Sequence, residues 1–141
     1  MQKSLLHHLE KTYFDMLSKK RIQKLKLLAI AEAERSEGRC KHVSFLIKSN
    51  KIVARGVNKL KTDTWADKLY KFPYVHSELS AIKNLPKSID ASECALYNFR
   101  VNKKLSGFMI SKPCRGCCSL LDLHNVKEIY YTDHSGNLIK G

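Results

Sequence analysis

A three-layer α/β/α sandwich around a mixed sheet of about five strands is the fold this chain predicts, on three observations. Apolar residues recur at helical spacing through residues 18–36 (Ile22, Leu25, Leu28, Ala29). Strand-like runs, rich in Val, Ile, Tyr and Phe, occur at 43–57, 95–101 and 126–132. The resulting order is helix, hairpin, helix, strand, helix, strand, which interleaves helices with strands and covers a sheet on both faces.

Each element has a local reason. The first helix, about 18 to 36, keeps Lys19, Lys20, Lys24 and Lys26 largely off its apolar stripe, and Gly38 is expected to end it. Val43, Phe45 and Ile47 alternate as in a strand, Ser49-Asn50 turns the chain, and Ile52–Val57 returns it as a hairpin. Residues 58–75 read as a long polar, basic and aromatic loop, with a helical turn at Ala66–Tyr70. A helix runs from His76 to Leu85 and stops before Pro86. Ala95–Val101 is a strand, Gly107–Ile110 extends the sheet, Cys114–Leu123 forms a helix begun after Pro113, and Val126–Thr132 is a further strand. Asp133–Asn137 is a turn, and Leu138–Lys140 returns as a short edge strand. No repeat or Pro/Gly-rich linker interrupts the chain, so residues 1–141 read as one domain, with 1–17 an N-terminal arm or extra helix and 18–141 the core.

Composition narrows the function classes. At 43% hydrophobic, the 141 residues suffice for one packed core. No stretch approaches the roughly 20 apolar residues of a membrane span, and the N-terminus lacks a secretory apolar region, so a soluble, cytoplasmic protein with no membrane partner is expected. The five cysteines are odd in number, and Cys114, Cys117 and Cys118 cluster, which suits metal ligands better than a disulfide framework. Cys40 and Cys94 are expected to be small buried hydrophobes, and Cys118 core packing. A net charge of +13, from 26 Lys+Arg against 13 Asp+Glu, points to an anionic partner.

Two strings carry the chemistry: His76-Ser77-Glu78, and Pro113-Cys114-Arg115-Gly116-Cys117. Read together they are H-x-E…P-C-x-x-C, the pattern of zinc-dependent nucleobase deaminases. One imidazole and two thiolates leave a fourth tetrahedral position for water, as in catalytic rather than structural zinc sites. Each string opens a helix, where the partial positive charge of the N-terminus favours thiolate over thiol. Zn²⁺ held by His76, Cys114 and Cys117 acidifies water toward neutrality. Glu78, two residues from His76, stands where a proton carrier is needed. A closed zinc finger would need a second ligand pair at short spacing, and His124 and His134 are too far apart for it.

From about Leu25 to Lys140 the chain resembles the cytidine/deoxycytidylate deaminase superfamily, through CKHVSFLIKSNKIVARGVNK, HSELSAIKNL and SKPCRGCCSLLDLHNVKEIYYTD. The resemblance implies the zinc ligands His76, Cys114 and Cys117, Glu78 as proton shuttle, and Asn58 as a contact to sugar or base. It implies that Ser77, usually Ala in the family, contacts the ring through its backbone, and that Ser111 fills a Ser/Thr-x-Pro-Cys position. The family's longer polynucleotide deaminases continue past the fourth main strand into further elements, whereas here only a short return strand is expected after Tyr131. The short segment before H-x-E and the absence of P-C-G-x-C-R-Q separate it from typical deoxycytidylate and free-nucleoside members respectively. Self-association into a homo-oligomer is implied by resemblance only.

Charge then favours cytosine-to-uracil conversion in single-stranded nucleic acid, DNA in preference. The segment 59–74 interleaves Lys with Trp65, Tyr70, Phe72 and Tyr74, as a backbone-tracking, base-stacking surface does. Tyr131 and His134 are expected near the mouth of the site. The alternatives are a free cytosine nucleotide or nucleoside substrate and, in a different class, a catalytically idle nucleic-acid-binding module stapled by zinc.

Overall fold

A computed structural model describes residues 17–62 and 74–141. The expected helical turn at 66–70, Trp65, and residues 1–16 lie outside the described residues.

Helix α1 (Lys19–Ala33) starts at Ser18, whose hydroxyl accepts the Arg21 N–H at 3.3 Å. It buries Leu25, Ala29 and Ala33, four residues apart on one face. It ends before the expected Gly38 because the chain is diverted: Glu37 N–H donates to the Asn58 carbonyl at 3.0 Å. Strands β1 (Lys41–Lys48) and β2 (Lys51–Val57) form the expected hairpin. Ser49 and Asn50 turn it with φ of 51° and 65°, the double left-handed pair that matches strand twist. The region expected to be a loop instead contains β3 (Lys59–Thr62) and β4 (Tyr74–Val75), paired antiparallel. Its polar, basic composition masks that pairing.

Helix α2 (Ser77–Asn84) follows, then a single 3₁₀ turn (Ala91–Glu93), β5 (Ala95–Val101), β6 (Phe108–Met109), helix α3 (Arg115–Leu123), β7 (Glu128–Thr132) and β8 (Leu138–Lys140). The main sheet runs β2-β1-β5-β7-β8, with β6 pairing the far end of β5 at Arg100 and Val101. The β5–β7 pair is parallel and the others are antiparallel, so the sheet is mixed. Helix α3 is the crossover that a parallel pair requires.

Strand alternation divides the core. Val43, Phe45, Ile47, Tyr97, Phe99 and Tyr130 face α1, where the Tyr97 and Tyr130 rings stack at 4.6 Å. Leu17, assigned to the arm, belongs to this cluster and donates its N–H to the Tyr97 hydroxyl at 2.9 Å. Leu46, Leu96 and Cys94 face α2 and α3, packed on Leu79, Ile82, Leu120 and Leu121. The two clusters make the three layers.

Helix α2 lies flush on β2 at Gly56. A Cβ there would stand 2.2 Å from the Ala81 nitrogen and 2.4 Å from the Ser77 carbonyl oxygen. Both are backbone atoms and cannot swing aside. Gly56→Ala is therefore expected to cost about 3 kcal/mol in urea unfolding. It should also lower zinc occupancy, because the displaced helix carries the residues that begin the site.

Candidate metal and catalytic centre

The two helix starts meet at one point. His76 is the N-terminal cap residue of α2, and Cys114 that of α3. Cys114 Sγ accepts the Cys117 N–H at 3.5 Å, so the sulfur serves as the helix cap. His76 Nδ1 faces Cys114 Sγ at 3.5 Å and Cys117 Sγ at 3.6 Å. All three donor atoms lie within 4.8 Å of one another. Zinc bonds of ~2.1 Å to nitrogen and ~2.3 Å to sulfur, meeting at a tetrahedral angle, span about 3.6 Å. The donor set and its spacing fit zinc, with Cys117 buried, His76 half-buried and Cys114 exposed toward a cavity.

Hydrogen bonds from Cys117 and His76 pull the Cys114 thiol down to about 4, so it is a thiolate at neutral pH. The same contact to Cys114 raises the His76 pKa. Cys118, one residue on, is turned away: it is half-buried, its thiol donates to the Pro113 carbonyl at 3.6 Å, and burial pushes its pKa up. Cys94 is buried as expected, whereas Cys40 is half-buried, lines the cavity and accepts from the Arg100 guanidinium at 3.3 Å. Its position at the entry to β1, rather than inside the strand, keeps it out of the core.

Glu78 lies in the first turn of α2 and is 4% exposed. Desolvation raises its pKa and outweighs the hydrogen bonds that favour the carboxylate. Those bonds come from its own main-chain N–H and from the Ser77 hydroxyl at 3.0 Å; the Asn98 amide also reaches the other carboxylate oxygen at 3.4 Å. Ser44 on β1 donates to the Ser77 hydroxyl at 2.8 Å and contacts the Asn98 amide oxygen. Asn98 also donates to the Ser111 carbonyl at 2.7 Å, at the start of the loop leading to Cys114. The acid–base side and the metal side are thus tied through one buried amide. Sequence reasoning missed Ser44 and Asn98, although each is a polar interruption in an apolar strand run, Val43-Ser44-Phe45 and Tyr97-Asn98-Phe99.

A cavity of about 370 Å³ opens over this floor. His76, Ser77 and Glu78 form its inner end, His42 and Val75 its walls, and Arg39, Lys59 and Lys112 bring positive charge to its lining. Of the residues expected to touch substrate, Ser77 and Asn58 line it. The Asn58 amide, however, is already engaged. It donates to the carbonyls of Glu37 at 2.6 Å and Cys40 at 2.8 Å, and accepts from the His42 N–H at 2.9 Å and from Ser36. Asn58 therefore holds the 36–42 loop that forms one cavity wall.

Three other expected contacts lie elsewhere. Ser111 is buried between strands, donating to the Asn98 carbonyl at 2.7 Å and accepting from the Thr132 N–H at 2.7 Å. Tyr131 pairs with Ile139 on the β7–β8 edge, beside Gly141. His134 is exposed in the turn that follows. None of the three is among the cavity-lining residues. Arg39, His42 and Lys112 line the cavity instead, and no local pattern marks them in the sequence.

Among the described residues no helix is long and apolar enough to cross a membrane. In comparisons with known proteins, no curated protein matches the chain. Among solved structures it is similar to the apo dCMP deaminase of cyanophage S-TIM5, with 19% identity, a TM-score of 0.57, and coverage of 83% of this chain and 86% of that one. At that identity the likeness speaks for the fold. The family model for the cytidine and deoxycytidylate deaminase zinc-binding region matches residues 19–133, a span that holds α1, both helix starts, all three zinc ligands and Glu78. The chain belongs to the zinc-dependent cytidine and deoxycytidylate deaminase family.

Proposed function

We propose that the protein hydrolyses the exocyclic amine of cytosine in a phosphate-bearing nucleotide, releasing ammonia and leaving uracil. The observation that carries this reading is a buried carboxyl beside a His/Cys/Cys donor set, at the floor of a nucleotide-sized cavity whose lining includes three cations. The structural likeness to a dCMP deaminase agrees with it.

Zinc, when bound by His76, Cys114 and Cys117, supplies the Lewis acidity that brings the pKa of water near neutrality. Glu78 accepts the proton that water loses as its oxygen bonds to ring carbon 4. The carboxyl, held by Ser77 and Asn98, hands that proton to ring nitrogen 3. The hydroxyl now on carbon 4 gives its proton through Glu78 to the amine, the carbonyl forms as the carbon–nitrogen bond breaks, and ammonia leaves. A carboxyl whose pKa is raised by burial is a stronger base than a solvated one and takes the proton more readily. The cations at Arg39, Lys59 and Lys112 favour a substrate bearing phosphate.

Uracil formation from dCMP, cytidine and a cytosine-bearing single-stranded oligonucleotide, measured side by side, tests the reading. The kcat/KM for dCMP is expected to exceed that for cytidine by about 10–100-fold, the value of a charge-assisted contact. Equal efficiency on cytidine would overturn the phosphate requirement, and no ammonia from any of the three would overturn the deaminase reading. A second reading, cytosine within a polynucleotide, draws on the excess of 26 Lys+Arg over 13 Asp+Glu. It predicts that the oligonucleotide outperforms dCMP and that its affinity falls steeply with salt.

A further inference from the structure

The β1–β5 ladder presents three side-chain pairs to the layer that carries α2 and α3. Leu46 faces Leu96, Ser44 faces Asn98, and His42 faces Arg100. The series runs from core to cavity. Leu46 and Leu96 are packed in the apolar cluster beneath the helices. Ser44 and Asn98 hold the Ser77–Glu78 corner. His42 is one pleat further out, about 6–7 Å along the strand from Ser44, and its side chain lines the cavity beside His76, Ser77 and Glu78.

The His42 main-chain N–H is fixed by Asn58 at 2.9 Å. Its imidazole has no hydrogen-bond partner among the described residues, in a molecule whose neighbouring polar groups Ser44, Ser77, Asn58, Asn98 and Ser111 are all engaged. Burial, and next the Arg100 guanidinium, lower the His42 pKa to about 4. At neutral pH the ring therefore offers one N–H donor and one lone pair, without charge. Such a group suits a neutral hydroxyl that both donates and accepts. The charged part of a nucleotide is served by Arg39, Lys59 and Lys112.

We infer that the His42 side chain binds the sugar of the substrate, through the 3′-hydroxyl of a cytosine nucleotide. The inference rests on the nucleotide reading above. It follows from depth: with the amine-bearing ring carbon over Glu78, the sugar falls one pleat outward, at the level of His42. Asn58, whose amide is taken up by the 36–42 loop, acts as a positioning residue that fixes the strand carrying His42.

Deletion of the interacting group from each side tests this. Zinc-loaded wild type and His42→Ala are assayed with dCMP and with 2′,3′-dideoxycytidine 5′-monophosphate, which lacks the 3′-hydroxyl. Wild type is expected to prefer dCMP by about tenfold in kcat/KM, the value of one net hydrogen bond. His42→Ala is expected to lose that preference, through a higher KM for dCMP with kcat little changed. His42→Gln, which keeps a donor and an acceptor, should recover part of it. An unchanged preference in a zinc-loaded, cooperatively melting His42→Ala would overturn the inference alone. A wild type indifferent to the 3′-hydroxyl would do the same whether or not the variant folds. Failure of wild type to release ammonia from dCMP would overturn the nucleotide reading, and this inference with it.

Discussion

Glu78→Gln should abolish ammonia release while leaving the zinc in place, and should make the metal-free fold more stable. The amide keeps the size of the carboxyl and can still accept from Ser77, but it cannot take a proton from water or return one to the amine. A turnover loss of at least about a thousandfold is expected, within the range ascribed to a positioned acid–base group. Zinc stoichiometry by elemental analysis should not change, because Glu78 is not one of the three converging donors. The stability gain follows from burial. Glu78 is nearly inaccessible, and its pKa is raised from 4.5 by desolvation, so the folded state binds the proton more tightly than the unfolded chain does. The carboxylate therefore disfavours folding increasingly as pH rises above about 4.5 and through the folded pKa. Compared as metal-free proteins, the Gln variant should show no advantage over wild type at low pH and a higher melting midpoint at pH 7, by about 3 °C for roughly 1 kcal/mol. Persistent turnover in this variant would remove Glu78 from the reaction.

Cys114→Ala and Cys117→Ala should each release the metal and lower stability together. Ligand binding to the folded state alone adds RT ln(1 + [L]/Kd), about 4 kcal/mol when zinc is a thousandfold above its dissociation constant. For a domain of 141 residues that corresponds to a melting midpoint roughly 10 °C lower. A chelator separates this from ordinary packing loss. It should destabilise wild type by a similar amount and leave both variants unmoved, since neither has zinc to lose. The two variants should still differ without metal. Cys117 is buried against the core and its loss leaves a void, whereas Cys114 is exposed and its loss removes only the α3 cap. Chelator sensitivity equal to that of wild type would show that the ion is held elsewhere.

Local patterns in the chain are enough for the metal donors and the proton carrier. His76 and Glu78 sit two apart and Cys114 and Cys117 three apart, each pair at a helix start, so backbone geometry alone brings each pair to one place. Strands β1, β2, β5, β7 and β8 were legible for the same reason: alternation and turn residues act over a few positions. The β3–β4 pair was not, because its stability comes from partners more than ten residues apart with no apolar alternation to mark them. Asn58 was legible as a position of interest, but its partners Glu37 and Cys40 lie some twenty residues away.

What the amino-acid order determined by itself is the chemistry: one nitrogen, two sulfurs and a carboxyl at spacings short enough for local structure to fix. What only the tertiary structure decided is the shape and lining of the space above them. His42 comes to line the same cavity as Glu78, and Asn98 bridges Glu78 to the Cys114 loop, only because β1 and β5 pair in one register and α2 seats on Gly56. Those arrangements join residues 13, 20 and more positions apart in sequence, so their placement depends on packing, which local spacing does not encode.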